Sequence, residues 1–199
     1  MVDDSLRMLR DSAAGFAKFD AARVRRMRGA RPGFERSVWQ EMAALGWLGV
    51  LVPESHEGLG LGMGAAVIIA EQLGRALYPE PYCASAVLAT LALRHGDGEA
   101  LRQRYLPQLA AGGVVASLAW QDERGGLDVA HCGVRLHERG SERVLEGECR
   151  FVEPVDADAF IVAARSARGL ELHWIARGAT GLSCTPDTCA DGSASARLV

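Results

Sequence analysis

The glycine pair Gly112-Gly113 separates two halves of this sequence whose apolar residues follow different periods, so helices and strands must be segregated along the chain. Before the pair, apolar residues recur at helical spacing. Leu6, Leu9, Ala13 and Phe16 make one stripe, and Phe34, Val38, Met42 and Leu45 a second just after the Pro32-Gly33 break. Ala66, Ile69, Leu73 and Ala76 make a third, Val87, Leu88 and Leu91 a fourth, and Leu101, Tyr105, Leu106 and Leu109 a fifth. After the pair come β-type runs: Val114 to Trp120, Val144 to Leu145, Phe160 to Ala164, and an alternating stretch from Leu170 to Ile175. Helices followed by strands define an α+β chain, with a helical bundle over residues 1–112 and a β-rich part over 113–199.

Composition narrows the class further. The 199 residues allow one or two domains, and 49% apolar with 24% charged residues excludes collagenous, coiled-coil and disordered chains. A formal net charge of −3 argues against a general nucleic-acid binder. The apolar stretches Gly64 to Ala70 and Ala84 to Leu93 fall well short of the ~18 residues of a membrane span. Asp3 and Asp4 open a terminus without a secretory pattern, which implies a cytoplasmic protein. The five cysteines (Cys83, Cys132, Cys149, Cys184, Cys189) contain no C-x-x-C pair and are expected to be reduced thiols.

Three stretches invite a chemical reading. The alternation Gly58-Leu59-Gly60-Leu61-Gly62-Met63-Gly64 has the glycines of a dinucleotide loop but neither the G-x-G-x-x-G spacing nor a βαβ unit around it. A turn leading into the third helix is the favoured reading. Arg23, Arg25, Arg26, Arg28 and Arg31 could touch phosphate, but no aromatic residues interleave them, and a solvated connection between the first two helices is favoured. His131 and His137 would share a face of a regular strand near Cys132 and Cys149, yet nothing fixes a ligand geometry, so ordinary strand side chains are favoured over a metal site. No G-x-S-x-G elbow is present.

The segment Trp39-Gln40-Glu41-Met42-Ala43-Ala44-Leu45-Gly46-Trp47-Leu48-Gly49-Val50, followed by Val52-Pro53-Glu54 and the glycine turn, resembles the N-terminal helical domain of acyl-CoA dehydrogenases. Glu71-Gln72-Leu73-Gly74-Arg75-Ala76 is similar to the family's Glu-x-Leu-Gly-Arg helix, and Tyr105-Leu106-Pro107 to its Tyr-Leu-Pro segment. The resemblance implies a helical domain over 1–112 and a truncated, incomplete β-barrel-like middle domain over 113–199. It also implies FAD as cofactor, an acyl-CoA thioester as substrate, an electron-transfer flavoprotein or similar acceptor, and homo- or hetero-oligomers of dehydrogenase subunits. In the family a carboxylate from a C-terminal bundle takes the α proton while the β hydride passes to the flavin. That bundle has no counterpart in these residues, so none is assigned as catalytic.

The flavin-contacting patches are implied in the same way. The family's Thr-Glu-Pro and Gly-Ser-Asp segment corresponds to Leu118-Ala119-Trp120-Gln121-Asp122-Glu123-Arg124-Gly125-Gly126-Leu127-Asp128. Leu118, Trp120, Gln121, Gly126 and Leu127 are the implied cofactor positions, with Gln121 in place of the threonine and Leu127 in place of the serine. A second patch is Phe151, Val152 and Glu153, in which Phe151 keeps a stacking surface and Glu153 replaces a threonine. A carboxylate there disfavours an anionic reduced flavin. The erosion of both patches motivates an alternative reading, a non-catalytic partner subunit of a heteromeric dehydrogenase. The last residues, Ala194 to Val199, begin a strand-like alternation and stop, and a half-strand without a neighbour points to a truncated chain.

Overall fold

A computed structural model describes residues 2–140 and 142–199. The chain divides into two compact units, Met1–Val114 and Val115–Val199.

In the first unit, α1 (Val2–Phe16) packs along α4 (Met63–Arg75). Phe16 meets Trp47 edge to face at 5.0 Å between centroids. Between these helices lie α2 (Ala21–Met27) and α3 (Arg36–Ala44). The Asp20 carboxylate caps α2 by accepting from the N–H groups of Ala22 and Arg23. The arginine run therefore begins as a short helix and not as an open connection, because this cap satisfies its first donors. Trp39 and Met42 on α3 are fully buried with Trp47, Leu48, Ile69 and Leu106, which form the centre of the core.

The glycine turn before α4 exists for packing. A Cβ at Gly58 would lie 2.1 Å from the Val52 carbonyl oxygen, so only hydrogen fits there. The turn closes through Leu59 N–H to the Gly49 carbonyl and Gly60 N–H to the Val52 carbonyl, both at 2.9 Å. Beyond α4, residues Tyr82–Ala89 form a π-helix that runs into α5 (Thr90–His95), followed by α6 (Glu99–Ala110). Apolar spacing correctly marked residues 87–91 as helical but carries no information about the wider winding. A buried ionic cluster fixes the entry to this π-helix. Arg23 bonds Glu35 at 2.6 Å and Glu80 at 2.5 Å, the Glu80 side chain is wholly enclosed, and the Arg23 guanidinium lies over the Tyr78 ring.

The second unit holds two sheets. Strands β1 (Ala116–Ala119), β2 (Val134–Arg139), β3 (Glu142–Gly147), β5 (Ala159–Ser166) and β6 (Gly169–Ala176) form one, around β5. Six successive residues of β5, Ala159 to Ala164, are buried, as expected of a strand covered on both faces. One edge of β5 pairs in parallel with β1 and, at Arg165, with β2, while the other pairs antiparallel with β6 over its whole length. Asp158 brackets the start of β1: its carboxylate accepts from Val115 N–H at 2.7 Å, and its own N–H donates to the Val115 carbonyl.

The second sheet has the order β4 (Cys149–Val152), β8 (Ala194–Leu198), β7 (Cys184–Thr188). The terminal residues are thus not a half-strand without neighbours: β8 is the central strand, paired antiparallel on both edges. The sequence concealed this because β4 and β7 are short, carry polar residues and show little alternation. His131 lies in a 3-10 turn (Val129–His131) and His137 in β2, so the two do not share a regular strand. Among the described residues the two sheets do not close into a barrel.

Candidate functional site

The two implied cofactor patches meet where β1 leaves its sheet and β4 is bulged. Leu118 and Trp120 are half-buried at the end of β1. Gln121 then bridges antiparallel to Arg150, whose N–H donates to the Gln121 carbonyl at 2.9 Å. A tight turn follows. Asp122 accepts from Arg124 N–H through its carboxylate and from Gly125 N–H through its carbonyl, and the Gln121 side-chain amide donates to the Gly125 carbonyl at 3.0 Å. Gly125 sits at φ +65°, a left-handed conformation that glycine takes without penalty.

Opposite this turn, β4 pairs with β8 at Cys149↔Leu198 and Val152↔Ala196, three steps on one strand against two on the other. The extra residue makes a β-bulge that carries Phe151 at φ +57°. Such a conformation in a bulky residue stores about 1–3 kcal/mol. The bulge holds Phe151 half-exposed, with its ring edge 3.1 Å from where a Gly125 Cβ would stand. A Cβ at 125 would crowd the ring and require it to give by a few tenths of an ångström, so Gly125 and Phe151 form one surface. Sequence reasoning missed Gly125; its signal was a glycine opening the Gly125-Gly126 pair opposite the aromatic position.

The remaining predicted positions divide. Val152 points into the core, fully buried, and offers no contact to a ligand. Gly126 has open space around its Cβ position, and Leu127 is 81% exposed. Glu153 is exposed as a residue, yet desolvation of its carboxyl, with Asp191 nearby, holds it above the usual carboxylate range. Its carbonyl accepts from the Ser117 hydroxyl. Nearby, Arg150 bonds Glu148 and reaches Asp187 at 3.5 Å.

All five thiols are free. Burial, then the neighbouring Cys132 and Glu148, push the Cys149 thiol up to about 12, so it is protonated at neutral pH and is a poor nucleophile. Among the described residues no group of three or more His, Cys, Asp or Glu side chains could hold a metal ion. No helix among them is long and apolar enough to cross a membrane.

Comparison with known proteins places these observations. The model of "Acyl-CoA dehydrogenase, N-terminal domain" matches residues 3–113, and the chain belongs to the acyl-CoA dehydrogenase family. Among curated relatives it is 28% identical over 158 residues to the mitochondrial isovaleryl-CoA dehydrogenase of Pongo abelii, covering 74% of this chain and 37% of that protein. It is 31% identical over 154 residues to acyl-CoA dehydrogenase FadE27 of Mycobacterium tuberculosis, covering 76% of this chain and 40% of the relative. The chain thus spans well under half the length of these relatives. Among solved structures, a variant of the Tcur3481-Tcur3483 steroid ACAD superposes with a TM-score of 0.90 at 26% identity, over 100% of this chain and 55% of that one. The ChsE4-ChsE5 complex from Mycobacterium tuberculosis gives 0.84 at 25% identity, over 97% and 52%.

Flavin chemistry is a property of this family; an acyl-CoA dehydrogenase from Bacillus anthracis, similar in fold, was solved with FAD. At the positions the resemblance implies, three side chains of this chain do not match what that cofactor requires. A flavin pyrophosphate needs hydroxyl and N–H donors, and position 127 presents an exposed apolar side chain. The Gln121 amide is already engaged by Gly125, and position 153 carries a carboxyl in place of a hydroxyl. Phe151 presents an aromatic surface, while positions 127 and 153 offer no side-chain hydroxyl.

Proposed function

We propose that this chain is the helical and β-sheet part of a non-catalytic partner subunit in a heteromeric acyl-CoA dehydrogenase. The assembly oxidises an acyl-CoA thioester between its α and β carbons, and its flavin and catalytic carboxylate are held by the other chain. What supports this reading is a bulged β4 that sets Phe151 against Gly125, beside an apolar side chain at 127 and a carboxyl at 153 where the resemblance implies hydroxyls. Its likeness to a structure described as a complex of two proteins, ChsE4 and ChsE5, supports a two-chain assembly. What these residues do in such an assembly is structural: the Asp122–Gly125 turn and the bulged β4 present a rigid surface, and Leu127 adds an exposed apolar contact.

A second reading has its own support. The retained Phe151 surface and the enzyme names of the relatives favour a flavin-loaded dehydrogenase that passes electrons to an electron-transfer flavoprotein or similar acceptor. Affinity purification of the whole protein from its source separates the two. A stable complex with a second dehydrogenase chain that carries hydroxyl residues at the positions of Leu127 and Glu153 is the expected result. A homo-oligomer loaded with FAD would overturn it.

A further inference from the structure

The basic run from Lys18 to Arg31 has no part in the flavin-facing surface. It carries six cations (Lys18, Arg23, Arg25, Arg26, Arg28 and Arg31) against one anion, Asp20, in a chain whose formal net charge is −3. The fold sorts them. Arg23 turns inward onto Glu35 and Glu80, and Arg26 shares Glu35 at 3.3 Å. The Asp20 carboxylate is taken by the first N–H groups of α2. With these three carboxylates engaged, Arg25, Arg28 and Arg31 are exposed and have no ion-pair partner among the described residues. At about 100° per residue, Arg25 and Arg28 stand on the side of α2 away from Arg23. The segment before α2 is also held in place. Tyr78 fixes both its ends, donating its hydroxyl to the Phe16 carbonyl at 3.3 Å and lying under the Arg23 guanidinium at 4.7 Å. Between these ends Lys18 is exposed and Phe19 is 62% exposed.

A phenyl ring in water beside uncompensated cations adds nothing to folding, since the ring buries little surface and the like charges repel. Both features become favourable at an anionic lipid surface, where the cations sit among phosphates and the ring enters the headgroup boundary. We propose that Lys18, Phe19, Arg25, Arg28 and Arg31 form a docking surface for an anionic phospholipid bilayer, bound peripherally and reversibly. A nucleic acid would take up the same cations but is held by rings interleaved with them for stacking, and residues 20–31 contain none. This surface lies in the helical unit, and its lipid binding is independent of the flavin and of the proposed partner role.

Co-sedimentation of the whole protein with vesicles of phosphatidylcholine, alone or with about 30% phosphatidylserine, tests this assignment. Binding is expected on the phosphatidylserine vesicles only, and is expected to fall steeply as salt rises from about 50 to about 300 mM, since the attraction decays within a Debye length. The triple variant Arg25→Gln, Arg28→Gln, Arg31→Gln is expected to lower the partition coefficient about a hundredfold, roughly fivefold for each arginine, and Phe19→Ser to lower it about tenfold. The substituted side chains are exposed, and circular dichroism melting establishes that the variants are folded. The double variant Arg104→Gln, Arg168→Gln, at exposed arginines elsewhere, is expected to bind like the parent. Protein that stays off the anionic vesicles, binds both compositions alike, or binds unchanged in the folded triple variant overturns the proposal. An equal loss in the Arg104 and Arg168 variant, or tighter binding to an oligouridylate than to the vesicles, overturns it as well.

Discussion

Restoring the lost donors provides a quantitative test of the reasoning about the flavin-facing surface. Leu127→Ser replaces a side chain that is 81% exposed, so its effect on folding stays within about 0.5 kcal/mol. A serine hydroxyl directed at a charged pyrophosphate oxygen contributes about 1.5–3 kcal/mol. Glu153→Thr removes a carboxyl and supplies a neutral donor, worth about a further 1–2 kcal/mol. The sum, about 2.5 kcal/mol at its lower end, corresponds to roughly sixtyfold at about 1.4 kcal/mol per decade. The assay is titration of the purified protein with FAD, followed by quenching of flavin fluorescence. The double variant should bind FAD at least about sixtyfold more tightly than the parent, with each single variant between them. A gain of less than threefold in a folded double variant would refute the assignment of these two positions.

Other consequences follow from the fold. Glu80→Ala removes an enclosed carboxylate but leaves Arg23 its bond to Glu35, so the loss should fall near the low end of the range for a broken buried pair, about 3 kcal/mol, read as a lower urea midpoint by tryptophan fluorescence. A loss below 1 kcal/mol would contradict the enclosed ion pair. Gly58→Ala forces a methyl group against the Val52 carbonyl and should cost about 1–3 kcal/mol, whereas Gly64→Ala, in open space on α4, should be neutral or stabilise by up to about 1 kcal/mol. Equal losses at both positions would contradict the packing role of the turn. The bond from Arg23 holds Glu35 below the usual carboxylate range, so its stabilisation is present above pH 4.5 and is lost as pH falls through the lowered value. Glu153 is shifted the other way, chiefly by burial, so stability should fall as pH rises from 4.5 through its raised value, and Glu153→Gln should stabilise at pH 7 relative to pH 4. Glu35→Gln and Glu153→Gln whose urea midpoints differ from the parent's by amounts independent of pH across about pH 3–8 would contradict the two assignments.

How far the sequence disclosed this structure depended on how many residues each feature required. The stripe Leu6, Leu9, Ala13, Phe16 became α1, and the run Phe160 to Ala164 became the buried centre of β5, because a whole periodic face reports burial. The stripe Val87, Leu88, Leu91 reports a helix but not the π winding of Tyr82–Ala89, since apolar spacing does not distinguish the two windings over so short a stretch. The Arg23–Glu35–Glu80 cluster joins residues up to 57 positions apart and left no local signal. At the candidate site, the eroded positions were readable as residue types, but not the bulge that brings Phe151 onto Gly125. That bulge depends on the pairing of β4 with β8, and neither strand is long enough to announce its partner.

The flavin content of the native assembly tests the central claim most directly. The whole protein, purified with its bound chains, would be denatured in acid, its released FAD measured by absorbance, and each chain quantified by mass spectrometry. The account predicts flavin matching the number of partner chains and none attributable to this one; one FAD for every copy of this chain in an assembly of that chain alone would contradict it.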